Sequence, residues 1–80
     1  MGTRRRVSFS DHALSRMRER SITKADVLRT LFNPAYEFPG NKPGTVESYG
    51  ATSRGKSFYA VTDRERKRVV TVVEIEEAGC

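Results

Sequence analysis

The chain has 80 residues, enough for one domain and too few for two. Hydrophobic residues make up 36% and charged residues 31%, which suits a folded domain rather than a disordered tail, and no apolar run is long enough to span a bilayer. Lysine and arginine number 15 against 10 acidic residues, a formal net charge of +5 that argues for anionic partners such as nucleic acid and says nothing about fold.

Met1 to Arg6 is basic and no apolar stretch follows it, so no secretory signal is expected and a cytoplasmic location is. Arg6 stands where a myristoylation signal needs serine or threonine. Residues 1–5 and 77–80 are expected to be flexible ends around a single domain. The one cysteine, Cys80, is expected to be an exposed thiol, since it has no partner in the chain for a disulfide.

Arg6 to Phe9 reads as a short first strand. Ser10 then suits an N-cap, with Asp11 in the first turn meeting the positive end of a helix that runs to about Arg20. Ala13, Leu14 and Met17 share its apolar face. Ser21-Ile22-Thr23 breaks this helix. Thr23 and Asp26 form a capping-box pattern for a second helix carrying Ala25, Val27, Leu28, Leu31 and Phe32. Asn33-Pro34 ends it, because the residue before proline is driven out of the α region.

The rest reads as strand. Tyr36 to Phe38 is one strand, followed by the loop Pro39 to Gly44. Thr45 to Thr52 and Ser57 to Thr62 form a hairpin across the turn Ser53 to Lys56. Asp63 to Arg68 is a charged turn, and Val69 to Glu76 is a β-branched final strand. Val72 and Val73 are both apolar, which predicts a central strand covered on both faces. Helices first and strands after give an α+β fold: two N-terminal helices packed on a curved antiparallel sheet of four to five strands.

Three candidate sites follow. On the first helix, His12, Arg16 and Arg20 fall at about 0°, 40° and 80°, a polar stripe at the border of the apolar face, where a half-buried setting is expected. Cleavage of RNA needs a proton acceptor for the 2′-hydroxyl, cations for the charged phosphorane and an acid for the leaving oxygen. His12 suits the acid or base and Arg16 and Arg20 suit the phosphate. The same residues also suit a packing histidine and surface ion pairs. Gly50 to Ser57 satisfies the phosphate-loop pattern G-x-x-x-x-G-K-[ST], but that motif needs a helix after it, and here a strand follows. The segment therefore reads as a hairpin, with Arg54 and Lys56 at its tip extending a phosphate-binding surface. The run Arg64 to Arg68 alternates charge and reads first as a solvated turn, with a basic rim that joins Arg68 to Arg4, Arg5 and Arg6 as the alternative. Tyr49, Phe58 and Tyr59 lie on strands, where core packing is the default and stacking on a base is the alternative. With one histidine and no compact acidic cluster, neither a metal nor a cofactor is expected.

The stretch Phe9 to Ala13, then Arg16-Met17, Arg20 to Thr23, Asp26-Val27 and Asn33-Pro34, resembles a small bacterial domain family of unknown function. Its signature reads S-x-H-A-x-x-R-M-x-x-R-G-I, then an N-P stop and a G-[KR]-x-[LF]-x-V strand, matched here by Gly55 to Val61. Ser21 departs from the signature glycine. The family is similar in turn to BrnT-type and RelE/ParE-type toxins, which set two helices on an antiparallel sheet and are neutralised by an antitoxin protein. The resemblance implies a metal-independent ribonuclease of toxin type acting on RNA, free or on the ribosome. It matches His12, Arg16 and Arg20 to the signature residues and puts Lys56 where these toxins often carry a base. The alternatives are a non-catalytic nucleic-acid-binding or protein-interaction module on the same basic face, and a partner protein that pairs through an exposed sheet edge. The oligomeric state stays open.

Overall fold

The computed structural model describes residues 7–75. Arg4, Arg5, Arg6 and Cys80, the proposed flexible ends and the far end of the last predicted strand lie outside them. The described elements are β1 (Ser8–Phe9), α1 (Asp11–Arg20), α2 (Lys24–Phe32), β2 (Tyr36–Pro39), β3 (Thr45–Ala51), β4 (Ser57–Asp63) and β5 (Arg68–Glu74). The fold is α+β, as the pattern predicts, with five strands in the order β1-β5-β4-β3-β2. The sheet is mixed rather than purely antiparallel. β2 to β5 form an antiparallel meander, and β1 adds to β5 in parallel through only two residue pairs, Ser8 with Arg68 and Phe9 with Val69.

Each helix begins where its cap dictates. The Ser10 hydroxyl oxygen accepts the Ala13 N–H at 3.0 Å and opens α1. Thr23 and Asp26 exchange side-chain and backbone hydrogen bonds and open α2. α1 ends in a left-handed residue, Ser21, with φ 59° and ψ 40°. The next N–H, of Ile22, returns to the Met17 carbonyl at 2.9 Å, closing the helix.

Both helices lie on one face of the sheet. Ala13 and Met17 from α1, Ile22 from the connection, and Val27 and Leu31 from α2 meet Phe58, Ala60, Val69 and Val72 from the strands. Gly50 is required by close approach: a Cβ there would meet the Thr30 side chain of α2, with Thr30 Cγ2 at 2.8 Å. One buried side-chain polar atom, Ser48 Oγ, has no hydrogen-bond partner among the described residues.

The prediction that β5 is covered on both faces is overturned. Val72 is 1% exposed, but Val73 is 36% exposed. A bulge between Val61 and Thr62 of β4 and the facing stretch of β5 explains the pattern: Thr62 pairs with Val69 and Val61 with Thr71, leaving Val70 as the extra residue. Val69 and Val72 therefore both face the helices although they are three apart. The other face holds an aromatic row. Tyr49 and Tyr59 stack at 4.8 Å, Phe38 meets Tyr49 edge-on at 5.5 Å, and Tyr36 follows Phe38 at 6.4 Å. Of the three strand aromatics singled out in the sequence, Phe58 is core and the two tyrosines are not.

Two stability predictions follow. A left-handed residue with a Cβ is strained relative to glycine, so Ser21→Gly is expected to stabilise by about 0.5–1 kcal/mol, read as a Tm rise of several degrees. Ser48→Ala removes a hydroxyl that is desolvated without compensation, so it is expected to leave the urea midpoint unchanged or raised.

Candidate functional site

α1 lies along β5, and Ser10 sets this alignment. Its N–H donates to the Val69 carbonyl at 3.0 Å and its hydroxyl donates to the Val70 carbonyl at 2.7 Å. At the other end of the helix, Arg20 Nη1 stands 3.7 Å from Glu74 Oε1. Between these fixed ends the groove of about 280 Å³ is lined by His12, Arg16 and Arg20 on one side and Thr71, Val72, Val73 and Glu74 on the other. The predicted stripe is thus brought onto one groove. Its expected half-burial is not found: all three side chains are exposed, because the helix buries only Ala13 and Met17 and turns the stripe outward along the sheet margin.

Lys56 joins this group. Its Nζ donates to the Arg20 carbonyl at 2.6 Å and lies 3.9 Å from Glu74 Oε2. Glu74 therefore sits between Arg20 and Lys56 at the end of the groove, in ion-pair contact with both. Sequence reasoning passed over it, although a signal existed: Glu74 is two residues from the buried Val72 and so shares its side of the strand. Arg16 pairs instead with Glu19 at 3.5 Å, and with both partners exposed the pair has little energetic weight.

Arg54 and Arg68, expected to extend the same surface, do not join it. Arg54 borders a separate depression with Met17, Arg18, Ile22, Thr23 and Asp26. Arg68 is at the opposite end of β5 from Glu74. The turn carrying Arg54 is the hairpin the strand pattern required. The Thr52 hydroxyl oxygen accepts the N–H groups of Arg54 and Lys56 at 3.2 and 3.1 Å, and Gly55 closes the turn at φ 89°. The element directly after the phosphate-loop pattern is the strand β4 rather than a helix, so the pattern lacks the dipole it needs.

Asp26 fixes this turn to α2. It is 5% exposed, and its carboxylate accepts from Thr23 N–H, Arg29 Nη2 and Ser53 N–H at 3.2, 2.8 and 3.3 Å. Burial alone would raise its pKa. The hydrogen bonds from the Thr23 backbone, the Arg29 guanidinium, the Thr23 hydroxyl and the Ser53 backbone outweigh burial and hold it below the ordinary 3.8. On the outer face the Tyr49 phenol is pushed up by burial and by its 2.9 Å hydrogen bond to Glu47. Among the described residues no three histidine, cysteine, aspartate or glutamate side chains gather in one place, and no helix is long and apolar enough to cross a membrane.

The linkage at Asp26 makes a pH prediction. Its folded pKa lies below its unfolded value, so its stabilisation is complete above the unfolded value and is lost as pH falls through the lower folded one. Asp26→Asn is expected to cost about 1–3 kcal/mol at pH 7, in line with charged hydrogen bonds, and the gap to wild type is expected to narrow in urea melts at about pH 3. An equal gap at both pH values would remove the carboxylate from the account.

Comparison with the curated proteins returns no match, and neither does comparison with the solved structures. The protein family described as a domain of unknown function (DUF4258) matches residues 9–79, a span that takes in α1, α2 and all of the sheet from β2 to β5. The chain is a member of that family.

Proposed function

We propose that the groove between α1 and β5 binds the sugar–phosphate backbone of RNA and cleaves it without a metal, as a toxin-type ribonuclease held in check by a partner protein. The observation that carries this reading is the convergence of His12, Arg16 and Arg20 on one groove, with Lys56 at its end. Arginine forks suit phosphate oxygens in pairs, and Lys56 adds a point charge. His12, in its neutral form, takes the proton of the 2′-hydroxyl. The 2′-oxygen bonds to phosphorus, the bond from phosphorus to the 5′-oxygen breaks, and the 5′-oxygen takes a proton from the imidazolium or from water. Arg16 and Arg20 stabilise the extra negative charge of the phosphorane. Glu74 serves by keeping Arg20 and Lys56 in place.

One observation favours a second reading, a module that binds RNA and leaves it intact. The His12 side chain is exposed, and among the described residues none hydrogen-bonds its ring. A catalytic imidazole ordinarily has a group that orients it, although such contacts often tighten only with substrate bound.

Mixed cellular RNA in excess chelator, with and without ribosomes, separates the two. Wild type is expected to cut, and folded His12→Ala to cut about 10²-fold more slowly or less, with RNA affinity retained. Arg16→Ala and Arg20→Ala are expected to weaken binding and to flatten its salt dependence. Intact RNA in every lane, with binding preserved, would establish the binding module.

A further inference from the structure

The groove has a second property that phosphate recognition does not use. One of its walls is four consecutive residues of β5, Thr71 to Glu74, so the wall is the strand's backbone margin rather than one row of its side chains. On that margin β1 pairs only with Arg68 and Val69, and among the described residues no strand pairs with β5 beyond them. Which backbone groups are left follows from the register with β4. The Ile75 N–H donates to the Ser57 carbonyl at 2.9 Å, so Val73 and Thr71, two and four residues earlier, also turn their N–H and C=O toward β4. The N–H and C=O groups of Val72 and Glu74 therefore point the other way, into the groove. Val70 agrees: its carbonyl points to that side and is taken by Ser10.

A strand margin with free donors and acceptors is a template for an added strand. The opposite wall states what that strand carries. Along α1, residues four apart are spaced by about 6 Å, the rise of four helical residues. Along an extended chain, side chains on one face repeat at about 6.8 Å. α1 and β5 run side by side, from Ser10 at Val70 to Arg20 at Glu74. Alternate side chains of a strand laid on β5 thus come into step with His12, Arg16 and Arg20. Acidic residues at those alternate positions complement the stripe. Glu74 is the one carboxylate in the groove lining and competes with them for Arg20 and Lys56.

We propose that the open margin of β5 between Val72 and Glu74 docks an extended segment of a partner polypeptide as a sixth strand, with acidic residues at alternate positions facing His12, Arg16 and Arg20. Such a strand fills the groove and excludes RNA from it. It shares the groove with the RNA reading but does not rest on it, because its hydrogen bonds are to the backbone of β5.

The probe is a capped nonapeptide alternating glutamate and threonine, labelled for fluorescence anisotropy at low salt, with a lysine-for-glutamate control. Two further versions carry N-methyl groups on one or the other alternate set of amides. The glutamate peptide is expected to bind and the lysine peptide not to. Methylation of one set is expected to abolish binding and of the other to spare it, because only one set faces β5. Hydrogen exchange at the Val72 and Glu74 amides is expected to slow in the complex. Arg16→Ala and Arg20→Ala are each expected to weaken binding about tenfold, the size of a lost charge-assisted hydrogen bond. Glu74→Gln is expected to tighten it, which loss of a merely structural carboxylate would not do. No binding of the glutamate peptide, equal tolerance of both methylated sets, or unchanged exchange at Val72 and Glu74 each overturns the proposal. No RNA enters these measurements, so they stand or fall apart from the cleavage assay.

Discussion

Ser10 is the point on which the arrangement turns. Its hydroxyl accepts from the first turn of α1 and donates to the Val70 carbonyl, while its N–H donates to Val69 and its carbonyl accepts from Leu14 at 3.0 Å. One residue is therefore at once the exit from β1, the cap of α1 and a rung on β5. A cap elsewhere in proteins fixes only where a helix begins. Here it also fixes which strand the helix follows and at what height, and so brings the His12, Arg16 and Arg20 stripe beside the backbone of β5. The thin core could not do this alone: apolar contacts through Ala13 and Met17 are non-directional, and a helix held by them can slide.

Charge is distributed unevenly over the two sides of the sheet. The bases of α1 and the β3–β4 turn gather on the helix side. On the opposite side, the positions of β2, β3 and β4 that alternate with the core are Tyr36, Phe38, Thr45, Glu47, Tyr49, Ala51, Ser57, Tyr59, Val61 and Asp63, with no lysine or arginine among them, and in β5 the base on that side is Arg68, next to the buried Val69. A net charge of +5 is a property of the whole chain, whereas an anion meets the local field. The segregation gives the groove a stronger claim on anions than the aromatic face, although aromatic side chains are the usual platform for unpaired bases.

The sequence carried what depends on near neighbours. Ser10 and Thr23 announced their helices, Asn33-Pro34 announced the end of the second, and the strand after Lys56 disqualified the phosphate-loop pattern. Angular spacing on a helix was enough to put His12, Arg16 and Arg20 in one line. What was not legible depends on residues far apart in the chain. The parallel pairing of Ser8 with Arg68 spans nearly the whole sequence, and nothing local in β1 marks it. The exposure of the stripe depends on where the sheet ends, so a border position on a helix read as half-buried proved open. Arg54 was grouped with Lys56 by charge and nearness in sequence, and Arg68 with the basic rim by charge alone, yet a turn sends neighbouring side chains to different sides and a strand separates its ends. Ser21 is a mixed case. The break in the helix was visible, but the left-handed backbone behind the signature glycine was not.

The extra residue in β5 has a consequence for the chain as a message. Along a strand, inside and outside alternate, so one residue more or less acts as a frameshift in three dimensions: every later side chain changes sides. Val70 is that shift in this protein. Before it, the odd-numbered Val69 faces the helices; after it, the even-numbered Val72 and Glu74 do. Straightening β5 so that Val70 took a regular rung opposite Val61 would leave the composition untouched and still swap the readout downstream, turning Val73 inward and sending Glu74 to the far side, away from Arg20 and Lys56. The backbone would change phase with the side chains, so the free N–H and C=O groups on the margin would belong to different residues. The local grammar of helix caps and turns would read as before, while the meaning of the last strand would be inverted.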